Sequence, residues 1–253
     1  MDLGLTGRTA LVCASTSGLG EATARALGAE GARVVVCGRR ADRAAAIAAE
    51  LPDAVGVGVD LTANGAPEEL VAAAGEVDVL VLNSGGPPPS TAADIGTAEI
   101  TAALVPLLLA QQRLVSLVLP GMRERGWGRI LGVGSTGVVA PIPGLALSNI
   151  GRAALGGYLR TLAGEVAADG VTVNLLLPGR IATARTESVD AAAAEREGVG
   201  VDEVEARNAT AIPAGRYGRA PEFGAVAAFL CSDAASYVTG TATRCDGGLV
   251  PSL

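Results

Sequence analysis

The residues best able to do chemistry begin close to the N-terminus. Cys13-Ala14-Ser15-Thr16-Ser17-Gly18-Leu19-Gly20 joins a short apolar run to an Ala-rich stretch. Small side chains there let the chain turn sharply and bring the N–H groups of a helix N-terminus up to a pyrophosphate, where the helix dipole favours negative charge. A plain turn between strand and helix would look similar, because the first half of the loop is poor in glycine. A second candidate, Arg39-Arg40, follows Val36-Cys37-Gly38. A dinucleotide-binding fold reads the adenosine ribose at this place: a carboxylate takes the free 2′-OH, whereas arginine accommodates a 2′-phosphate. The pair favours NADP(H) as cofactor, the alternative being two solvated cations leading into a helix.

What the chain lacks narrows the chemistry further. It has no histidine, which removes Ser-His-Asp triads and every acid–base step that needs an imidazole. Cys13, Cys37, Cys231 and Cys245 are dispersed, with no C-x-x-C pair, as expected of buried thiols in a reducing compartment, so no metal site is expected. With Lys+Arg 19 against Asp+Glu 26, a net charge of −7 and 2% aromatics, the chain offers neither a basic footprint nor stacking platforms for nucleic acid. Hydrophobic residues make up 49% and mean hydropathy is +0.42, yet they are scattered among Gly and Ala. The most apolar run, 102–110, contains Pro106, so no membrane-crossing segment is expected. The first residues carry no basic n-region, which makes a cytoplasmic location the expectation.

The elements that must position these loops alternate along the chain. Runs 9–13, 33–36, 55–59, 77–82, 130–133 and 171–177 read as strands. Segments 18–30, 42–50, 67–74, 100–125, 148–168 and 221–230 read as helices. Such alternation predicts one α/β domain over residues 1–253, with a parallel sheet covered by helices on both faces. The exception is 184–219, which is rich in charge. It reads either as a solvated helical excursion or as a lid near 184–215 over a site at the strand ends.

Further motifs make the chain resemble the short-chain dehydrogenase/reductase family from Thr9 to Gly248. The glycine-rich loop matches that family's T-G-x-x-x-G-x-G, with Cys13 and Ala14 in the first two places. Asp60-Leu61 is similar to its adenine-contacting pair, and Asn83-Ser84-Gly85 to its N-A-G motif. Asn174 and Pro178-Gly179-Arg180-Ile181-Ala182-Thr183 match P-G-x-I-x-T, which in the family holds the nicotinamide carboxamide. Tyr237-Val238-Thr239-Gly240 and Asp246-Gly247-Gly248 match its closing signature. The resemblance implies a doubly wound Rossmann fold with a seven-stranded parallel sheet. It also implies a small-molecule substrate and a homo-oligomer, commonly a tetramer packed through the helices around 100–125 and 148–168. The implied cofactor contacts are Ser15, Ser17, Gly18, Leu19, Gly20, Arg39, Arg40, Asp60, Leu61, Asn83, Gly85, Arg152, Pro178, Gly179, Ile181 and Thr183.

The resemblance breaks at the catalytic positions. The family uses a Ser after the fifth strand, a Tyr thirteen residues on, a Lys four further, and an Asn in the preceding long helix. Here the corresponding positions are Ser135, Ser148, Arg152 and about Leu107. Arg152 keeps a permanent charge and can still bond ribose hydroxyls, while Ser148 is a poor general acid near neutral pH. Tyr158, on the same helix, reads as core or interface rather than a relocated acid. Pro87-Pro88-Pro89-Ser90 reads as pocket wall or as a rigid turn. The Ser148-Asn149-Ile150-Gly151-Arg152 arrangement resembles an atypical branch that includes tailoring reductases of aromatic polyketides in antibiotic biosynthesis. That likeness implies an NADPH-dependent ketoreductase, the alternative being a catalytically silent NADP(H)-binding sensor or assembly subunit.

Overall fold

A computed structural model describes residues 2–251. The alternation becomes β1 (Thr9–Val12), α1 (Gly18–Ala29), β2 (Arg33–Gly38), α2 (Ala41–Ala49), β3 (Ala54–Gly58), α3 (Ala66–Ala74) and β4 (Val79–Leu82). There follow α4 (Thr97–Leu104), α5 (Ala110–Glu124), β5 (Gly128–Val133), α6 (Ala146–Val166), β6 (Val171–Pro178), β7 (Ile181–Ala182), α7 (Ala184–Glu197), α8 (Val201–Thr210), β8 (Gly218–Arg219), α9 (Ala220–Leu230) and β9 (Ala242–Cys245). The main sheet runs β3-β2-β1-β4-β5-β6-β9, with all neighbours parallel. This is the doubly wound, seven-stranded architecture the sequence implied. β9 has no apolar run to announce it, and it falls between the two closing motifs, Tyr237–Gly240 and Asp246–Gly248, so the sequence did not disclose it.

Strand residues alternate between two buried layers. Leu11, Val35, Leu80 and Leu82 face Leu70, Leu114, Val118 and Leu155 of α3, α5 and α6. Ala10, Val12, Val34, Val79 and Val81 face Leu27, Ile47, Phe223 and Ala227 of α1, α2 and α9. With both faces covered, every strand position must be apolar, which is why these strands read as continuous runs. Cys13, Cys37 and Cys231 are buried, Cys245 is half-buried, and all are free thiols. Burial pushes the Cys231 thiol up to about 12, so it behaves as core rather than as a nucleophile.

The expectation of no membrane-length apolar run needs correction. α4 and α5 are continuous through a π-helical turn, Val105–Leu109, and Thr97–Glu124 is long and apolar enough to cross a membrane by length and composition. Pro106 hid this, because the π-helical turn carries the proline inside a continuous helix. One face of this helix lies in the protein core through Leu114, Val115, Val118 and Met122. Leu109 on another face is 54% exposed.

The charged segment folds as α7 and α8 around a buried carboxylate that the sequence reading treated as surface. Asp190 is 1% exposed. It accepts from Arg180 Nη1 at 2.7 Å, from Asn208 Nδ2 at 3.1 Å and from the Tyr217 hydroxyl at 2.7 Å. Burial raises the Tyr217 pKa, and its bond to Asp190 adds to the shift. A fully bonded acid of this kind anchors the base of the helical pair against β7 and β8.

Candidate active site

The strand order reverses between β1 and β4, and the crevice beyond their carboxyl ends is where such folds bind ligands. Ala14 opens it with φ +47°, a left-handed conformation in a residue other than glycine. A Cβ on Gly20 would collide with the Ala14 carbonyl and lie 2.9 Å from Asn83 Nδ2. Asn83 itself donates to Ala14 O at 3.4 Å. Gly20 thus lets α1 start hard against the loop, leaving Ser17, the exposed residue before the helix, at the mouth with Gly18 and Leu19. Ser15 behaves differently from the reading of its sequence. Its side chain is fully buried, donates to Val12 O at 2.6 Å and accepts from Cys37 N at 2.9 Å, so it holds β1 to β2 and cannot face a ligand.

Arg39 and Arg40 are exposed beside this loop, and neither has a carboxylate within 4 Å among the described residues. Arg40 Nη2 donates to Thr16 O at 2.8 Å, a contact sequence reasoning missed, which sets the cation against the loop. Asp60, also exposed, accepts from Thr62 N at 3.0 Å and Thr62 Oγ1 at 2.7 Å. These bonds first, and the Arg39 charge last, lower its pKa. Leu61 packs against the core, and Gly85 lies exposed past β4. Across the crevice, Thr183 caps α7 by accepting from Thr186 N at 3.4 Å. Its methyl would sit 3.6 Å from a Cβ on Gly18, so the two loops face each other. Pro178, Gly179 and Ile181 shape this wall through backbone contacts: Gly179 N donates to Cys245 O at 3.0 Å, and Ile181 pairs with Gly218.

At the other end of the crevice Ser135 follows β5 and accepts from Gly137 N at 3.0 Å. Arg152, one turn into α6 from Ser148, is 8% exposed. Its guanidinium donates to Val133 O and, at 3.3 Å, to Ser84 O, tying the ends of β5 and β4 together. Burial, and then the charge of Arg185, bring its pKa down to about 10, so it remains charged at neutral pH. Ser148 is half-buried and its hydroxyl makes no hydrogen bond among the described residues, while Asn149 is tied to Ile142 N and O. Leu107 lies inside the π-helical turn and packs with Leu147. That turn leaves Pro106 O to accept from Gln111 Nε2 at 2.9 Å, and Gln111 Nε2 also reaches Ser84 Oγ at 3.3 Å. Gln111 Oε1 is buried without a partner among the described residues. Tyr158 packs against the core, where burial raises its pKa.

Two further contacts join residues far apart in sequence. The proline loop is fastened to the start of α6: Ser90 N donates to Gly144 O at 2.8 Å, and Leu147 N donates to Ser90 Oγ at 3.2 Å. It is therefore packed against the first turn of α6, which carries Ser148. Arg185, read only as part of a charged segment, donates to Pro87 O at 2.7 Å across the crevice. Its position two residues after Thr183 was the available signal.

The matrix of motifs, strand order and crevice agrees with what known proteins show. Residues 13–250 match the family model described as enoyl-(acyl carrier protein) reductase. The chain belongs to the short-chain dehydrogenase/reductase family. It is 34% identical to D-beta-hydroxybutyrate dehydrogenase of Cupriavidus necator over 97% of this chain and 99% of that protein. It is also 34% identical to the 3-oxoacyl-[acyl-carrier-protein] reductase FabG of Haemophilus influenzae, over 96% and 98% of the two chains. Among solved structures it is similar to L-sorbose reductase from Gluconobacter frateurii complexed with NADPH and L-sorbose, with TM-score 0.92, 30% identity and full coverage of both chains. As a member of this family the chain is an oxidoreductase of the NAD(P)-dependent, ketoreductase-like kind.

Proposed function

We propose that this family member is an atypical NADPH-dependent ketoreductase acting on a ketone of a polycyclic aromatic, polyketide-type compound, with the proton supplied by substrate or solvent. The observation that carries the proposal is Ser135 and a charged Arg152 at the end of the crevice, beside a residue 148 that is a serine whose hydroxyl has no partner among the described residues. The crevice fits the cofactor: Gly20 and Ala14 leave the N-terminus of α1 open to a diphosphate, and Arg39 and Arg40 are free to meet a 2′-phosphate. Bound NADPH would supply a hydride to the carbonyl carbon, leaving as NADP+ while the carbonyl electron pair becomes an alkoxide.

The chain's own residues must orient the ketone and stabilise that charge. Ser135 Oγ already accepts from Gly137 N, so its hydrogen is free to point at the carbonyl oxygen. Arg152 fixes positive charge behind it. No crevice residue is a suitable acid at neutral pH: the chain has no histidine and position 148 is an aliphatic hydroxyl. A phenol or enol adjacent to the ketone meets the need. Its O–H bond breaks as the alkoxide O–H forms, at the high effective concentration of one molecule.

The test uses 8-hydroxy-1-tetralone and its methyl ether with NADPH. The phenol is expected to be reduced and the ether about a hundredfold more slowly, with Ser148→Ala retaining most activity. A dead Ser148→Ala together with normal reduction of the ether would show that the protein supplies the acid. With Arg152 charged throughout this range, kcat/KM should be flat from pH 6 to 9 save for the substrate's own phenol. NADPH binding without turnover of any ketone would favour the silent sensor. The exposed Leu109 and Ile150, on α4–α5 and α6 respectively, support a homo-oligomer packed through those helices, which sedimentation would reveal. The α7–α8 pair, following directly on Thr183, serves in this reading as the lid. Hydrogen exchange there should slow when substrate joins the NADPH complex.

A further inference from the structure

All 19 basic residues are arginines, and most of them meet a carboxylate. Arg152 and Arg185 do not, among the described residues. They converge on the same loop from opposite walls of the crevice, Arg152 through Ser84 O at 3.3 Å and Arg185 through Pro87 O at 2.7 Å. A Cβ on Gly86, between those two carbonyls, would lie 3.0 Å from Arg185 Nη2. The glycine therefore gives the guanidinium room to lie flat across the loop.

Both placements are unfavourable without a ligand. Arg152 is buried, and its only acceptors are neutral carbonyls. Arg185 sits in the first turn of α7, where the helix dipole repels a cation, and it faces a second cation. Burial lowers the pKa of each, and Arg185 lowers that of Arg152 further. An anion between them would relieve the repulsion and satisfy the guanidinium N–H groups that the carbonyls leave free.

We infer that Arg185, backed by the positive charge of Arg152, holds an anionic oxygen of the substrate beside the ketone at Ser135: a carboxylate, or an ionised phenol or enol other than the one that gives the proton. The cofactor's own phosphates have other provision, at the N-terminus of α1 and at Arg39 and Arg40. Arg152 stands instead where β4 and β5 end, and Arg185 lies across the loop that follows β4. This rests on the reductase reading for the identity of the ketone, but the anion site can be measured without turnover. Arg185 thereby selects for charged substrates from the first turn of α7, the helix that the reductase reading makes a lid.

The experiment is a calorimetric titration of the protein, with and without NADP+, at low salt and pH 8. One probe pair is 1-hydroxy-2-naphthoate and its methyl ester, reporting a carboxylate. The other is 5-nitro-2-hydroxyacetophenone and its methyl ether, reporting a phenolate. At least one anion is expected to bind tenfold or more tighter than its neutral partner. That preference should vanish in Arg185→Gln and return in part in Arg185→Lys. Equal binding of both members in both pairs overturns the inference. So does an Arg185→Gln variant that keeps the preference but loses NADPH affinity, which would assign the pair to the cofactor's diphosphate. Should wild type fail to bind NADPH, the reductase reading falls, while titration of the cofactor-free protein still decides the anion site.

Discussion

One strand, β5, has a buried arginine at each end, and the two are treated oppositely. At its amino end Arg129 is 3% exposed but lies 3.3 Å from Asp233 and 4.2 Å from the Trp127 ring centroid, and it donates to Ser232 O at 3.0 Å. Its neighbours are equally provided for: Trp127 Nε1 donates to Asp233 Oδ1 at 2.7 Å, and buried Asp78 lies within 3.7 Å of Arg8 and 3.5 Å of Arg125. At the carboxyl end Arg152 has carbonyls and a second arginine instead of an acid. A fold that needs a buried cation for stability supplies its counter-charge. An edge that leaves cations uncompensated has reserved them for something that arrives.

The comparison breaks or holds most sharply on exchanging each arginine for methionine. Arg129→Met should destabilise the protein by about 3 kcal/mol, since it strips partners from several carbonyls and from Asp233 and Trp127 together. Turnover per folded molecule should not change. Arg152→Met should leave stability within about 1 kcal/mol of wild type, because relief of an unpaired buried charge offsets two lost carbonyl bonds. Its kcat/KM should fall about a hundredfold. Denaturant unfolding and NADPH-linked turnover of both variants read the two effects, and equal loss of stability with activity intact in Arg152→Met would make both arginines structural.

The same contrast explains what the sequence could and could not disclose. The strands and helices of the Rossmann sheet were legible because burial on both faces forces apolar runs, and those on β1, β2 and β4 begin within a residue or two of where they read. Loop motifs such as Gly18-Leu19-Gly20 and Pro178-Gly179 were legible because backbone geometry dictates small residues. Partnership was not. Nothing in the string tells Arg129 from Arg152, or marks Asp190 as buried among charged neighbours, since the partners lie far away in sequence. Ser15 misled for a related reason: inside a motif of small residues, sequence does not say which hydroxyl turns inward to Val12 and Cys37.

At the adenosine end the uncompensated cations are Arg39 and Arg40, and the second prediction sharpens the comparison there. Wild type should prefer NADPH to NADH. Replacing both with alanine should cost about 1.5–3 kcal/mol of NADPH binding, roughly tenfold to a hundredfold in Kd, with NADH affinity unchanged. Because Arg40 also braces Thr16 O at 2.8 Å, Arg39→Ala alone gives the cleaner measure of the phosphate contact. Equal affinity of wild type for the two cofactors would remove Arg39 and Arg40 from the reserved set.

The smallest effect is one of backbone rather than charge. The carboxyl edge also holds Ala14 at φ +47°, a left-handed conformation costing an L-residue about 1–2 kcal/mol. Glycine would relieve that cost but loses about 0.5–1 kcal/mol to the greater freedom of its unfolded chain. Ala14→Gly should therefore stabilise the protein by about 0.5–1 kcal/mol, raising Tm by roughly 1–4 °C for a chain of this size. NADPH affinity should hold, since the Ala14 carbonyl that accepts from Asn83 Nδ2 at 3.4 Å belongs to the backbone. The ligand end of the sheet would then carry removable strain as well as unpaired charge. If the variant is instead less stable, the Ala14 methyl contributes packing that outweighs its conformation, and the contrast between the two ends is confined to their arginines.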